Sequence, residues 1–220
     1  MAEHYGVKPK MFTKEWWPYY WLYYKWHTIA VVFVLILAVI GISNCVSKEK
    51  YDLAITYLGR TYYDEANWYE AVAELAKDID DADGNGKEHI SFTSLITNEK
   101  KEYAQQNYAT YVKHDTSLGD EFSYIYIYDE NELTENSRND FVSENYFEAI
   151  DWLNGEVGDD MLVYNGDKAY AVSLKNSTVL NNAGIDSENL YILVKYDEDL
   201  PDANKTAHNN AIKVANKLIK

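Results

Sequence analysis

Residues 15–41, EWWPYYWLYYKWHTIAVVFVLILAVIG, place four tryptophans and four tyrosines directly before a long apolar run. The segment from Thr28 to Val46 carries no charge. As a helix it would be about 28 Å long, close to the hydrocarbon thickness of a bilayer. A core helix of this length would show a polar face, and this run shows none before Ser43. The stretch therefore predicts a transmembrane helix over residues 28–46.

The aromatic residues before the span predict a membrane interface. Amphipathic rings settle at the level of the lipid headgroups, and a lysine can extend its ammonium group towards phosphate. We expect this role for Trp16, Trp17, Trp21, Lys25 and Trp26. Residues 1–27 are accordingly predicted to form a cytoplasmic and interfacial leader, with the lipid bilayer as the first partner.

The distribution of lysines predicts the orientation of the span. Four lysines precede the apolar run, whereas only Lys48 and Lys50 follow it closely. Cytoplasmic flanks are the ones enriched in positive charge, so the N-terminus is expected in the cytoplasm. The pattern predicts a single-pass protein of the cell membrane whose residues 47–220 form an extracellular domain.

Cys45 leaves the type of anchor open. It is the single cysteine of the chain, which excludes an internal disulfide and a CxxC metal site. An uncleaved signal anchor is favoured, because no A-x-A-like cleavage site follows the span. The alternative is a lipid on Cys45 after Ile42-Ser43-Asn44, and a mass spectrum showing either an intact Met1 or a lipidated Cys45 separates the two.

The remainder of the chain is acidic and suited to folding. Residues 48–220 carry 16 lysines and arginines against 34 aspartates and glutamates. This balance argues against a nucleic acid partner, because phosphate contacts need clustered positive charge. Hydrophobic residues make up 47% of the chain, which indicates a packed core rather than disorder.

Strand-like and helix-like segments alternate through residues 47–220. The patterns predict strands at 52–58, 89–96, 121–128 and 190–196, helices at 64–79, 98–113, 143–153 and 203–219, and a short helical turn at 177–182. Residues 161–174, MLVYNGDKAYAVSL, predict a hairpin that turns at Asn165-Gly166. The expected fold class is α/β, a three-layer sandwich with a mainly parallel sheet and one antiparallel hairpin, preceded by one transmembrane helix.

A loop between the first predicted helix and the second strand matches half of a calcium-binding pattern. Asp81, Asp83 and Asn85 alternate before Gly86, so their oxygens could converge on one hard cation. The position at which a bidentate Glu would complete the pattern is Phe92. Calcium is therefore a candidate cofactor, and the alternative is a plain turn built from turn-forming residues.

Aromatic residues around the end of the first strand are candidate ligand contacts. Open α/β sheets bind ligands beyond the carboxyl ends of their strands. Tyr57, Tyr62, Tyr63 and Trp68 lie near that edge and could stack on a sugar or on a partner. The alternative is that most of these rings belong to the core.

No pattern in the chain indicates catalysis. The five histidines are far apart in sequence, and no nucleophile, phosphate-loop or HExxH pattern occurs. Acidic residues are so numerous that pairs of them carry no information without geometry. We therefore expect a protein that is not an enzyme.

Three segments resemble one lobe of the extracellular solute-binding proteins of bacterial ABC importers, the type 2 periplasmic-binding-protein-like group. They are YDLAITY (51–57), GDEFSYIYIYDENEL (119–133) and GDKAYAVSLKNSTVLNNAGI (166–185). The resemblance implies a membrane-anchored binding lobe that recognises a small solute or another membrane protein. The family normally grips its ligand between two lobes, and we expect the second lobe to be missing or vestigial here. The alternative function is a structural or assembly subunit of a membrane complex without a small-molecule ligand.

Overall fold

The computed structural model describes residues 9–46, 51–138, 152–155, 157–195 and 202–220. The predicted helix at 143–153 lies almost entirely outside these residues. The chain divides into two compact units, Met1–Glu49 and Lys50–Lys220, which are described separately below.

The first unit consists of helix α1, Trp16–Val46. Its 31 residues correspond to about 46 Å, the thickness of a bilayer with its headgroups. Pro18 lies in the first turn, where its missing N–H costs no helical hydrogen bond. The segment Trp16–Ile40 is long and apolar enough to cross a membrane, and none of its most apolar window is buried in protein. The structure is thus consistent with single-pass anchoring, and the leader and span share one continuous helix.

Aromatic side chains line the first turns of α1. The rings of Trp16 and Tyr20 stack with centroids 4.8 Å apart, and those of Tyr20 and Tyr24 follow at 5.6 Å. The Lys25 ammonium lies 5.9 Å from the ring centroid of Trp26. Three of the four indoles predicted at the interface are largely exposed, with 58% of Trp17, 62% of Trp21 and 71% of Trp26 accessible, and Trp16 is half-buried.

The second unit is built around a six-stranded mixed sheet. Its strands are β1 Leu53–Gly59, β2 Ile90–Ile96, β3 Ser123–Asp129, β4 Leu162–Asn165, β5 Lys168–Ser173 and β6 Leu190–Val194, in the order β2-β1-β3-β6-β5-β4. Strand β1 is parallel to both β2 and β3, and β6 is antiparallel to β3 and β5. Four of the six strands point the same way, and the predicted antiparallel hairpin is β4–β5. The antiparallel pairing of β6 extends beyond the single hairpin that we expected.

Five helices accompany this sheet in the described residues: α2 Glu65–Leu75, α3 Ala104–Leu118, α4 Glu130–Arg138, α5 Thr178–Asn182 and α6 Asp202–Leu218. Helix α4 is not among the helices that we expected from the sequence. Asp129 caps this helix, since its Oδ1 accepts a hydrogen bond of 2.9 Å from the Glu132 amide. The spacing Asp-x-x-Glu is a helix-start signal.

Apolar side chains form two clusters. The same strand contributes residues to both clusters. One cluster contains Leu53, Ile55 and Tyr57 together with side chains of α2 and α6. The other contains Leu58 and Tyr126, with Leu133 of α4. Every residue of β3 is buried, which agrees with the two-sided apolar pattern of its sequence.

Helix α3 packs through a polar side chain. Its one fully buried residue is His114, whose Nε2 lies 2.7 Å from the Tyr128 hydroxyl. Burial lowers the pKa of His114 and so favours the neutral ring. Asp115 Oδ1 lies 3.3 Å from the other ring nitrogen. This cluster holds α3 against β3.

The hairpin turn differs by one residue from the expected one. Asn165 pairs with Lys168, so the two loop residues are Gly166 and Asp167. Gly166 has φ of 62°, whereas Asn165 and Asp167 keep negative φ values. This is the pattern of a type II′ turn, which needs glycine only at its first central position. The expected position of the turn, Asn165-Gly166, was therefore wrong by one residue.

Candidate functional site

The candidate site lies at the carboxyl ends of β1 and β3. After Gly59 the chain enters α2, whose buried residues belong to the cluster around Ile55. After Asp129 it enters α4, whose Leu133 belongs to the cluster around Tyr126. The two connections thus leave neighbouring parallel strands towards different faces of the sheet. In open α/β sheets such a switch leaves a crevice in which ligands bind.

Arg60 meets two carboxyl groups at this edge of the sheet, one through its backbone amide and one through its guanidinium. The Arg60 amide donates to Asp129 Oδ2 at 2.5 Å, and Arg60 Nε lies 3.4 Å from Glu132 Oε1. Asp129 is 3% exposed and Glu132 is 0% exposed. The Arg60 side chain retains 21% of its surface, so it is the charged group of this cluster that reaches solvent.

Glu132 connects four elements of the fold. Its Oε1 accepts a hydrogen bond of 2.5 Å from Thr97 Oγ1, just beyond β2. Its Oε2 accepts one of 2.9 Å from the Tyr111 hydroxyl on α3. Together with the contact to Arg60, these bonds satisfy a carboxyl group that would be costly to bury alone.

Tyr57 and Trp68, two of the predicted ligand contacts, lie in the core. Trp68 stacks on Phe92 with ring centroids 4.5 Å apart and lies 5.6 Å from the ring of Tyr57. The Tyr57 hydroxyl donates to Thr61 O at 2.8 Å, and burial raises the pKa of Tyr57. A Cβ on Gly59 would lie 2.1 Å from that hydroxyl, so the tight end of β1 requires glycine.

Tyr62 and Tyr63 have more access to solvent. Tyr62 is 71% exposed. Tyr63 is half-buried, with its ring edge-on to Trp68 at 6.1 Å and its hydroxyl bound to Asp186 O at 2.9 Å. Burial raises the pKa of Tyr63 as well. The ligand-binding role of the four aromatic residues stays a prediction, and these two are the ones whose rings a ligand could reach.

The predicted calcium loop lies at the other end of β1. Asp81 and Asp83 come together with Asp52, and one carboxylate oxygen from each lies within 4.8 Å of the others. Asp52 is buried and its carboxylate accepts bonds from the amides of Ala82 and His89 at 2.6 and 2.7 Å. Sequence reasoning missed Asp52 because it precedes the loop by a whole helix.

Backbone amides already surround the loop carboxylates. Asp81 accepts hydrogen bonds from the amides of Gly84, Asn85 and Gly86. These bonds, above all that from Gly86, lower the pKa of Asp81. The Asn85 side chain is engaged with Asp83 and with the Lys87 amide. Calcium binding by Asp81, Asp83 and Asn85 stays a prediction, and Asp52 is the additional carboxylate that the fold brings to the loop.

Comparison with known protein families, with curated proteins and with solved structures found no match for this chain.

Replacing Arg60 by alanine is expected to lower the free energy of unfolding by about 3 kcal/mol, because a buried carboxyl group then loses its cation. Arg60→Lys keeps the positive charge and should cost clearly less. Denaturant titration of the full-length chain in detergent measures both values. Equal stability of parent and Arg60→Ala would show that Glu132 does not depend on Arg60.

Calcium titrated into the full-length chain in detergent is expected to release or absorb heat at the loop. Asp81→Ala and Asp83→Ala should abolish that heat, because each removes a carboxylate from the cluster. Glu70→Ala, which removes an exposed carboxylate on α2, is the matched control and should bind as the parent does. A parent protein that gives no calorimetric signal would rule the calcium site out.

Proposed function

We propose that this chain is a membrane-anchored binding domain, with its N-terminus in the cytoplasm and its α/β domain outside the cell. The domain would recognise a small polar solute at the crevice between β1 and β3. The observation that carries the proposal is the meeting of Arg60, Asp129 and Glu132 at the point where the two chain connections diverge.

The anchoring part of the proposal rests on α1 and on charge. An exposed apolar helix of this length is stable only in a hydrophobic surrounding. Lysines before the span favour a cytoplasmic N-terminus, and the acidic composition of residues 48–220 keeps the domain away from anionic headgroups.

The composition of the crevice favours a particular class of ligand. The site holds two carboxyl groups, Asp129 on the Arg60 amide and Glu132 on the Arg60 guanidinium, so an anionic solute would meet an excess of acidic groups. Exposed tyrosine rings beside them suit the apolar face of a sugar or the cationic group of an amine. We therefore propose a ligand that is uncharged and rich in hydroxyl groups, or cationic.

The relationship to solute-binding proteins remains part of this proposal. Two apolar clusters each combine helix side chains with alternate residues of β1 and β3. We interpret this arrangement as the three-layer sandwich expected for one lobe. A single lobe would bind its ligand on an open edge rather than between two closing lobes. Its affinity would then depend on few contacts and be modest.

A structural or assembly subunit is the second candidate, and one observation favours it. All four carboxyl oxygens of Asp129 and Glu132 already accept hydrogen bonds from protein groups. Such a satisfied network stabilises a fold without needing a ligand. A subunit of this kind would migrate with a membrane partner on native gels and would respond to no solute.

Solute binding is tested by thermal unfolding of the full-length chain in detergent with sugars and amines. A solute that binds should raise the melting temperature of the parent protein, because it binds the folded state only. Tyr62→Ala should remove that increase. Tyr164→Ala, a change of another exposed tyrosine on β4, should keep it. If no solute raises the melting temperature, or if both variants respond equally, the proposed crevice is not the binding site.

The topology is tested with protease added to intact cells that express the full-length chain. We expect digestion of residues 51–220 and retention of α1 in the membrane after carbonate washing. Cells opened before digestion serve as the control for protease access. An α/β domain that survives outside treatment and is digested only in opened cells would place it in the cytoplasm instead.

A further inference from the structure

Helix α3 packs on the sheet with a titratable side chain as its one fully buried residue. Helix α2 buries four apolar side chains. Helix α3 buries His114 alone, and its Tyr111 and Leu118 are only partly buried against the cluster around Tyr126. A segment with few buried apolar contacts opens at a lower free energy than the rest of a domain. The attachment of α3 is therefore sensitive to the state of His114.

The hydrogen bonds of His114 determine which ring nitrogen can take up a proton. Nδ1 lies 3.3 Å from Asp115 Oδ1. A carboxylate oxygen accepts hydrogen bonds, so Nδ1 carries the hydrogen of the neutral ring. Nε2, 2.7 Å from the Tyr128 hydroxyl, is then the acceptor, and Tyr128 is the donor. A proton added at Nε2 makes this nitrogen a donor as well, so that the Tyr128 hydroxyl has to turn its own hydrogen away.

The surroundings of the ring disfavour a positive charge. His114 and Tyr128 are each 1% exposed, and the ring of Tyr126 lies edge-on to the imidazole at 5.5 Å. A charge formed there loses its hydration. This desolvation lowers the pKa of His114 and outweighs Asp115, which raises it. The half-exposed carboxyl group of Asp115 thus compensates for burial only in part.

Other titratable and charged groups lie on the elements around this pair. In the described residues they are Tyr111 and Asp115 of α3, Asp120 before β3, Tyr126 and Tyr128 of β3, Glu132 of α4, Tyr170 of β5, Tyr191 of β6 and Lys195 after β6. Lys195 bonds to the carbonyls of Leu118 and Asp120, and Glu132 contacts Arg60. Tyrosine and lysine do not titrate between about pH 5 and 7.5, whereas an ordinary histidine, with a pKa of about 6.5, does.

We propose that mild acid releases α3 from the sheet, with His114 as the group that takes up the proton. Tyr111, one turn before His114, donates to Glu132 Oε2, so release also removes a donor from the candidate site. Weaker solute binding in acid would follow, a consequence that rests on the proposed function. The release of the helix itself does not.

The sign of the effect follows from proton linkage. His114 is held neutral while α3 is packed, and it regains an ordinary pKa once α3 is released. The released form therefore binds more protons below about pH 6.5. Its equilibrium constant should rise by up to about tenfold for each further unit of pH, until the lowered pKa of packed His114 is reached.

Hydrogen exchange read by mass spectrometry tests the release without any solute. The full-length chain in detergent is compared at about pH 7.5 and about pH 5, after correction for the intrinsic pH dependence of exchange. We expect the amides of α3 to lose protection by about tenfold or more, while those of α6 keep theirs. Equal protection of α3 at both pH values would overturn the proposal, whatever the crevice binds.

Three variants identify the titrating group. His114→Gln can still accept from Tyr128 but takes up no proton, so its α3 should not respond to pH. His208→Gln changes a histidine of α6 that packs on Tyr124, and this matched control should respond as the parent does. Asp115→Asn removes a charge that favours the protonated ring, so α3 should lose more protection at about pH 5 than in the parent.

The variants can also contradict the proposal. A pH response that persists in His114→Gln, or that Asp115→Asn reduces, would show that another group titrates. Circular dichroism of each variant verifies that the fold is retained. Should His114→Gln fail to fold, Asp115→Asn decides alone, because its change lies on a half-exposed side chain.

Discussion

The buried carboxyl group of Glu132 is the constraint on which the candidate site depends. A carboxyl group with no exposed surface must find donors inside the protein, because its desolvation costs several kcal/mol, on the order of the stability of a domain. It finds them at Arg60, Thr97 and Tyr111, which come from three different segments. Satisfying one group therefore fixes the loop after β1, the end of β2, and helices α3 and α4 relative to one another.

The sequence patterns predicted those features that depend only on residues close together in the sequence. The apolar length of α1, the alternating apolar residues of the strands and the two-sided burial of β3 follow from side-chain periodicity. Helix α4 also had a local signal, the Asp129-x-x-Glu132 spacing, which was masked by its acidic composition. By contrast, the antiparallel direction of β6 depends on how distant segments meet, and no periodicity in Leu190–Val194 encodes it. The hairpin turn was misplaced by one residue because both Asn165 and Gly166 suit such turns.

The residues of the candidate site were only partly predictable for a related reason. Tyr57, Tyr62, Tyr63 and Trp68 were predicted as ligand contacts near the carboxyl end of the first strand, because open α/β sheets bind ligands there. The chemistry at that edge, however, comes from Arg60, Asp129 and Glu132, which are joined across 69 and 72 residues of sequence. A signal existed in the rarity of arginine, since Arg60 and Arg138 are the two arginines in the chain. Asp52 had no such signal, and only the fold brings it to Asp81 and Asp83.

Strand β1 explains why polar groups collect at both ends of the sheet. It lies between two parallel partners and is almost fully buried, so its own residues cannot hold charge except where it begins and ends. Asp52 precedes it and Arg60 follows it, and each is bound to segments that flank the neighbouring strands. Charged side chains, which the interior excludes, are therefore concentrated at the two ends of the strands and on the helices.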